Sequence, residues 1–460
     1  MPSVGVAGLA DDLMDLADPG SVFGQLQLGS GAGWLGAAAA SDGRVMLREC
    51  LRSDPRWDRQ VEHRADYYAT LAIRLRFSAA DLDLDVLCGD ERARWLGLEV
   101  LGRLAVRGDD AGIPVLQSEI SRGDSPIDSD EIARLLAEIP GGRGITSLCP
   151  RVVEARDDAG LVELIDETED VLPWMLWAGD DHRVARALKE VEQRNKQRSE
   201  GDGEVLPGST ASLEEILASP RVDLLRGKYQ DRFVASHDAD EVALLRDAAN
   251  GSWGPRRRFG LRLLGLRGDE SALESSIRVL EQETTAWEAS TARRYLKVLP
   301  AARTLPLARE WLANGDERFV ELATSLIAAH GTEADLPLMR AEFARSWECN
   351  DIYRVGELAE AFGRFPREAP HPELDLVYRE SWYSWARQRA AASLALTDPA
   401  FSTTRAIECL WDCEERTRII GIEHADQTNT TVRERLTELA SDPFEDEDVR
   451  DAAHARLADE

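Results

Sequence analysis

Residues 267–277 read RGDESALESSI and residues 330–339 read HGTEADLPLM. Each stretch closes one apolar run and opens another. The same form recurs at 107–116 (RGDDAGIPVL), 156–165 (RDDAGLVELI) and 396–407 (LTDPAFSTTRAI). A glycine after an apolar helical run suits the left-handed position that ends a helix, where a side chain would clash, so Gly108, Gly268 and Gly331 read as helix ends. The Asp, Thr or Glu that follows caps or favours the start of the next helix, whose first amides lack partners. Apolar residues then return at three- and four-residue spacing, the period of a helix with one buried face.

In the C-terminal half these junctions fall near Asp238, Gly268, Pro300, Gly331, Pro366, Thr397 and Ala425. The steps are about 30 residues, enough for two helices of about 11–13 residues and two short turns. No alternating β-branched runs fill the intervals. The second helix of a period is the clearer one. Residues 95–106 (WLGLEVLGRLAV), 259–267 (FGLRLLGLR), 320–330 (VELATSLIAAH) and 386–396 (ARQRAAASLAL) all set small residues among large apolar ones. Small residues let neighbouring helices approach closely, as stacked layers require. The expected fold is therefore all-α: an α-solenoid of stacked antiparallel helix pairs.

Asp90-Glu91-Arg92, Asp316-Glu317-Arg318 and the terminal 447–460 (EDVRDAAHARLADE) place acids at the start of a helix, then Arg, Ala and Leu. In this the chain resembles the HEAT-repeat superfamily, in particular the short HEAT-like repeats of phycobilin-lyase-type proteins, over roughly residues 88–460. The resemblance implies a binding platform, since HEAT proteins are chiefly that, with a few enzymes among them.

Four segments are expected. Residues 1–45 form a glycine-rich cap or extension, 46–198 the N-terminal helical repeats, 199–212 a loop or linker, and 213–460 the C-terminal repeats with an acidic, polar capping end. The best single helix of the N-terminal half runs from Pro55 to Phe77, with Trp57, Val61, Ala65, Tyr68, Ala72 and Leu75 on one face. Its acids Asp58, Glu62 and Asp66 alternate with arginines at helical spacing, which predicts an exposed, ion-paired helix. Tyr67 is expected to point outwards as an interface residue.

Composition excludes several classes. The chain has 460 residues, 85 acidic against 55 basic, and a net charge of −30. Such a charge repels a phosphate backbone and argues against non-specific nucleic-acid or anionic-membrane binding. The uncharged stretch 21–41 carries five glycines and no basic lead, so neither a membrane span nor a secretory signal is expected. Six scattered cysteines do not make a disulfide scaffold, and a reducing cytoplasm is the expected location.

Motifs for chemistry are few. Residues 29–36 (GSGAGWLG) mimic a dinucleotide fingerprint but lack the preceding strand, so helix-packing or flexible glycines are expected. Cys409 and Cys413, one helical turn apart, would need His424 and further ligands to hold a metal; packing is the expectation. None of the seven histidines forms an HxxxH or HExxH pair, and no GxSxG elbow or P-loop is present. No catalytic residue, metal or cofactor is expected. The one charge anomaly is 253–262 (WGPRRRFGLR), five arginines without an acid when Arg267 is included. Trp253, Arg256, Arg257, Arg258 and Arg262, with Tyr67, are the candidate binding residues, because arginine beside tryptophan can hold carboxylate, phosphate or an acidic partner segment. The alternative is that these arginines pair with Asp240, Glu241 or Asp247 of the adjacent repeat.

The leading expectation is a non-enzymatic scaffold or adaptor that binds a protein or peptide on its concave face. A nucleic-acid-binding or DNA-glycosylase-like HEAT protein is the alternative; a tetrapyrrole-lyase-like activity rests on the resemblance alone, and an acidic superhelix that mimics nucleic acid is a further alternative.

Overall fold

The computed structural model describes residues 16–52, 62–82, 91–120, 129–145, 153–154, 156–167, 172–201, 211–220, 222–225, 228–282 and 285–458. Helices joined by turns make up the described residues, with no strand among them. The start of the helix expected at Pro55, with Trp57, lies outside them, as do Cys88, Cys149 and residues 202–210 of the expected linker. None of the described helices is long and apolar enough to cross a membrane.

The chain divides into two units, 200–361 and the discontinuous 1–199 with 362–460. The block expected over 213–460 is therefore divided. The first part of the larger unit holds α1 Val22–Gln27, α2 Gly31–Ala39, α3 Gly43–Arg52, α4 Arg64–Arg74, α5 Glu91–Val106, α6 Ile113–Ile120, α7 Ser129–Ala137, α8 Asp158–Glu167, α9 Leu172–Trp177 and α10 His182–Gly201.

The smaller unit follows with α11 Leu213–Leu217, α12 Lys228–Ala235, α13 Ala239–Asn250, α14 Pro255–Leu266, α15 Leu273–Glu281, α16 Ala286–Val298, α17 Ala301–Asn314, α18 Glu317–His330, α19 Leu336–Glu348 and α20 Ile352–Phe362. Each interval between the expected junctions holds two helices. Asp238 caps α13 by accepting from the amides of Asp240 and Glu241. Pro255 starts α14, where its missing N–H costs nothing. Thr285 and Glu288 form a capping box on α16. Gly315, at φ +64, lets α17 turn back into α18. Gly331 is a correction. Its φ is −60, so it is not a left-handed cap. A Cβ there would sit 2.6 Å from the Ile327 carbonyl oxygen, so close approach to the backbone of α18 favours the glycine.

Within this unit the second helices lie against one another, α14 on α16 and α16 on α18. Ser325 of α18 donates to Glu357 of α20 at 2.6 Å, and Lys297 of α16 faces the same carboxylate at 3.9 Å. The small residues sit where expected: a Cβ on Gly265 of α14 would lie 2.5 Å from Val298 Cγ2 of α16.

The larger unit resumes with α21 Pro372–Glu380, α22 Ser384–Thr397, α23 Arg405–Cys409, α24 Glu415–His424, α25 Thr430–Ser441 and α26 Glu447–Ala458. Again the second helices α22, α24 and α26 form a row. This row meets the N-terminal helices: α2 packs on α23, and the amides of Cys413 and His63 bond Gly29 and Cys413 carbonyls at 2.9 and 3.1 Å. The glycines of 29–36 serve this packing. α1, not a strand, precedes them, and a Cβ on Gly31 would overlap the Glu408 carbonyl. The acidic C-terminal segment is part of the same junction and not merely a polar outer face: Asp442 pairs with Arg107 at 3.2 Å and Glu445 with Arg418 at 2.6 Å.

Candidate functional site

Two surfaces concentrate chemistry, one in each unit. In the smaller unit α14 and α16 run side by side in the same direction. Arg258, near the start of α14, lies 5.8 Å from the Trp287 ring at the start of α16, and at the far ends Gly265 abuts Val298. Helical spacing puts Arg258, Arg262 and Leu266 on one wall of a shallow groove. Trp287, Thr291, Arg294 and Val298 form the other. Trp287 is 68% exposed, Val298 50% and Leu266 45%. Arg294 is exposed and has no carboxylate partner among the described residues.

The structure brings the expected arginines together and gives most of them internal work. Arg256 pairs with Asp247 at 2.8 Å, one of the acids expected as the alternative, which lies on α13 of the same helix pair and not on an adjacent repeat. Arg257 is buried over the Trp253 ring at 4.1 Å and donates to the Gly251 carbonyl. Burial lowers its pKa, partly offset by Glu288. Arg258 pairs with Asp223 at 2.7 Å. Arg262 donates to the carbonyls of Asp223 and Leu225, and Arg267 to those of Phe233, Val234 and Ser236, so both satisfy carbonyls at helix ends rather than carboxylates. Trp287 was not among the expected residues. Its signal was available: a tryptophan seven positions before an arginine on an otherwise small and polar helical stripe.

Tyr67 is a correction. It is 5% exposed, its hydroxyl donates to the Ser30 carbonyl at 2.7 Å, and burial raises its pKa. The ion-paired exposed helix is corrected with it. α4 begins at Arg64, Glu62 and Arg64 are both buried, and they pair with each other at 3.1 Å. Arg64 also donates to the Gln27 and Leu28 carbonyls, capping the C-terminus of α1.

The second surface is a cleft in the larger unit, between α4 and the α24–α26 end. It comprises two adjoining cavities of about 190 and 290 Å³ that share Trp34, Trp411 and Arg435. The two indoles lie 5.8 Å apart, and Arg435 sits 5.4 Å over Trp411. Arg418 pairs with Glu445 and Asp446 and donates to the Asp412 carbonyl at 2.9 Å. Asp412 is 3% exposed; burial raises its pKa, and Arg387 at 3.5 Å offsets only part of that. Neighbouring Glu414 is pushed up to about 7 by burial, against the two hydrogen bonds it accepts from Thr417. Sequence reading missed this cleft because its walls come from opposite ends of the chain.

Among the described residues, His63, Glu415 and Asp446 have ligand atoms within 4.8 Å of one another and could hold a divalent cation. His63 Nε2 faces Glu415 at 3.8 Å and Nδ1 faces Asp446 at 3.7 Å, so the two carboxylates address different nitrogens. Arg418 beside Asp446 opposes a cation there.

Cys409 and Cys413 do not share a helix: Cys409 ends α23, and Cys413 lies in the turn before α24. Both are buried, and burial raises both thiols, which disfavours the thiolate a metal requires. His424 packs on Phe401 at 6.0 Å.

No protein-family model matches the chain, and neither a curated protein nor a solved structure shows significant similarity to it.

Proposed function

We propose that the chain is a HEAT-like helical-repeat protein of the solenoid type, a non-enzymatic adaptor that holds a protein partner on the second-helix row of the 200–361 unit. The observation that supports this is the placement of its exposed apolar side chains. Leu266, Trp287, Val298 and Tyr353 are large, exposed, and all carried by second helices. Water-facing aromatic and aliphatic residues on one row give the anchors that protein interfaces use. The arginine cluster lends a nucleic-acid reading little support. Two of its members are neutralised by carboxylates and three donate to backbone carbonyls.

The test is photocrosslinking of the full chain in native extract, with a photoreactive amino acid at position 287 and, as control, at Glu274, an exposed position on α15. The expected result is a discrete polypeptide adduct from position 287 alone. Equal adducts from both positions, or none from 287, overturns the reading.

A further inference from the structure

Resting on that reading, we propose that the partner of the α14–α16 groove is an acidic amphipathic protein segment, held with its carboxylates over Arg294 and its apolar side chains over Leu266 and Val298.

At the N-terminal ends of the two helices stand Arg258 and Trp287; at the C-terminal ends stand Leu266 and Val298. Arg294 lies two turns on from Trp287 along the same stripe, with Thr291 between them donating its hydroxyl back to the Trp287 carbonyl. The stripe from Trp287 to Val298 spans roughly 16 Å at the rise of an α-helix, the length of a three-turn helical segment.

Charge sets the partner's sign. α14 carries four arginines and no acid, and α16 carries Arg293, Arg294 and Lys297 against Glu288, in a chain whose net charge is −30. Several of these cations are offset: Arg258 by Asp223, Arg293 by Glu321 at 3.7 Å and Lys297 by Glu357. Among the described residues Arg294 has no such partner, and Arg262 meets carbonyl dipoles and the Phe259 ring rather than a carboxylate, so a positive excess remains along the groove. A segment bearing carboxylates completes it, and Arg294 can give a bidentate contact where Lys could not. Charge alone would suit a nucleic acid equally well. The apolar half decides between them: Leu266 and Val298 offer aliphatic carbon at 45% and 50% exposure, which a ribose-phosphate chain does not cover and a Leu or Ile side chain does. Trp287, 68% exposed at the N-terminal end of α16, supplies the flat anchor that most often dominates such contacts.

The experiment uses the full chain and fluorescence polarisation with four labelled probes. The first is a twelve-residue helical peptide with Leu on one face and Glu on the other. The second replaces Glu by Lys, the third replaces Leu by Ala, and the fourth is a single-stranded oligonucleotide of similar length. The proposal expects the first probe to bind and each of the others to bind at least about tenfold more weakly. Trp287→Ala, Val298→Asp and Arg294→Glu should each weaken the first probe by about tenfold with the thermal midpoint unchanged. Arg294→Glu should regain affinity for the Lys peptide, a charge swap that a folding defect cannot produce. Equal binding of the Glu and Lys peptides, absence of any peptide binding, or preference for the oligonucleotide overturns the proposal. A polypeptide adduct at position 287 without binding of the Glu/Leu probe overturns this partner chemistry alone; failure of the adduct as well removes the adaptor reading with it.

Discussion

The amide of Cys413 donates to the carbonyl of Gly29 at 2.9 Å, tying the turn before α24 to the turn after α1. Gly29 has φ +72, and a Cβ there would lie 2.6 Å from Cys413 Sγ and 2.7 Å from the Arg64 guanidinium. Gly29→Ala therefore meets both a backbone penalty and an overpacked site, together about 2–4 kcal/mol. Hydrogen exchange should report the loss in peptides from α1, α4 and α24 and leave the 200–361 unit at its wild-type protection. A variant with unchanged exchange at all three helices would show that this junction carries no stability.

The same junction buries three guanidinium groups, those of Arg64, Arg387 and Arg418. Arg387 donates to the Ser381 carbonyl and faces Asp412, and Glu62 accepts from the Ser384 amide as well as from Arg64. Removing one member leaves a buried charge without its partner, which costs about 3–5 kcal/mol. Arg387→Met is expected to do this, and adding Asp412→Asn should return part of the loss. Thermal melts of the single and double variants measure the coupling; additive losses would mean the two groups act independently.

These two relationships mark where sequence reading stopped. The helix pairs were legible because each rests on local signals: Asp238 as a cap, Gly268 at φ +66, and small residues such as Gly265 where helices touch. Gly331 misled because glycine serves close packing as readily as left-handed turns. The charges at Glu62, Arg64 and Asp66 misled for a related reason. Their spacing is that of a solvated helix, and burial of the first two is decided by Gln27, Leu28 and Ser384, none of which is local to α4. The arginines of 253–262 were found, but which of them are taken by carbonyls depends on Asp223 and Leu225, and a bare sequence does not place those.

Cysteine reactivity separates surface from core. Cys50, Cys409 and Cys413 are fully buried, while Cys349 is exposed. With the thiols of Cys409 and Cys413 raised by burial, neither supplies thiolate at pH 8. Peptide mapping after iodoacetamide treatment of the folded protein should find Cys349 alkylated and those three intact, and all four alkylated in urea. Native labelling of Cys413 would show that the Gly29 junction opens.

The pH dependence of the junction follows from Glu414. In the folded protein its carboxyl titrates at about 7, against an ordinary 4.5, because it is buried. A raised acid favours the fold while it holds its proton. Its contribution is full below about pH 4.5 and declines as pH rises to 7, by on the order of 3 kcal/mol at most. Asp335 acts in a separate window. Arg309 and Thr332 hold it down at about 2, so its stabilisation is present above about pH 4 and lost only in stronger acid. Glu414→Gln keeps the side-chain acceptor that caps α24 by taking the Thr417 amide and hydroxyl, and removes the titration. Wild-type hydrogen-exchange protection of α24, corrected for intrinsic rates, should fall from pH 4.5 to 7. The variant should fall less over that range, with buried Asp412 still titrating, and become the more protected of the two above pH 7. Parallel curves for the two proteins would place the titrating group elsewhere.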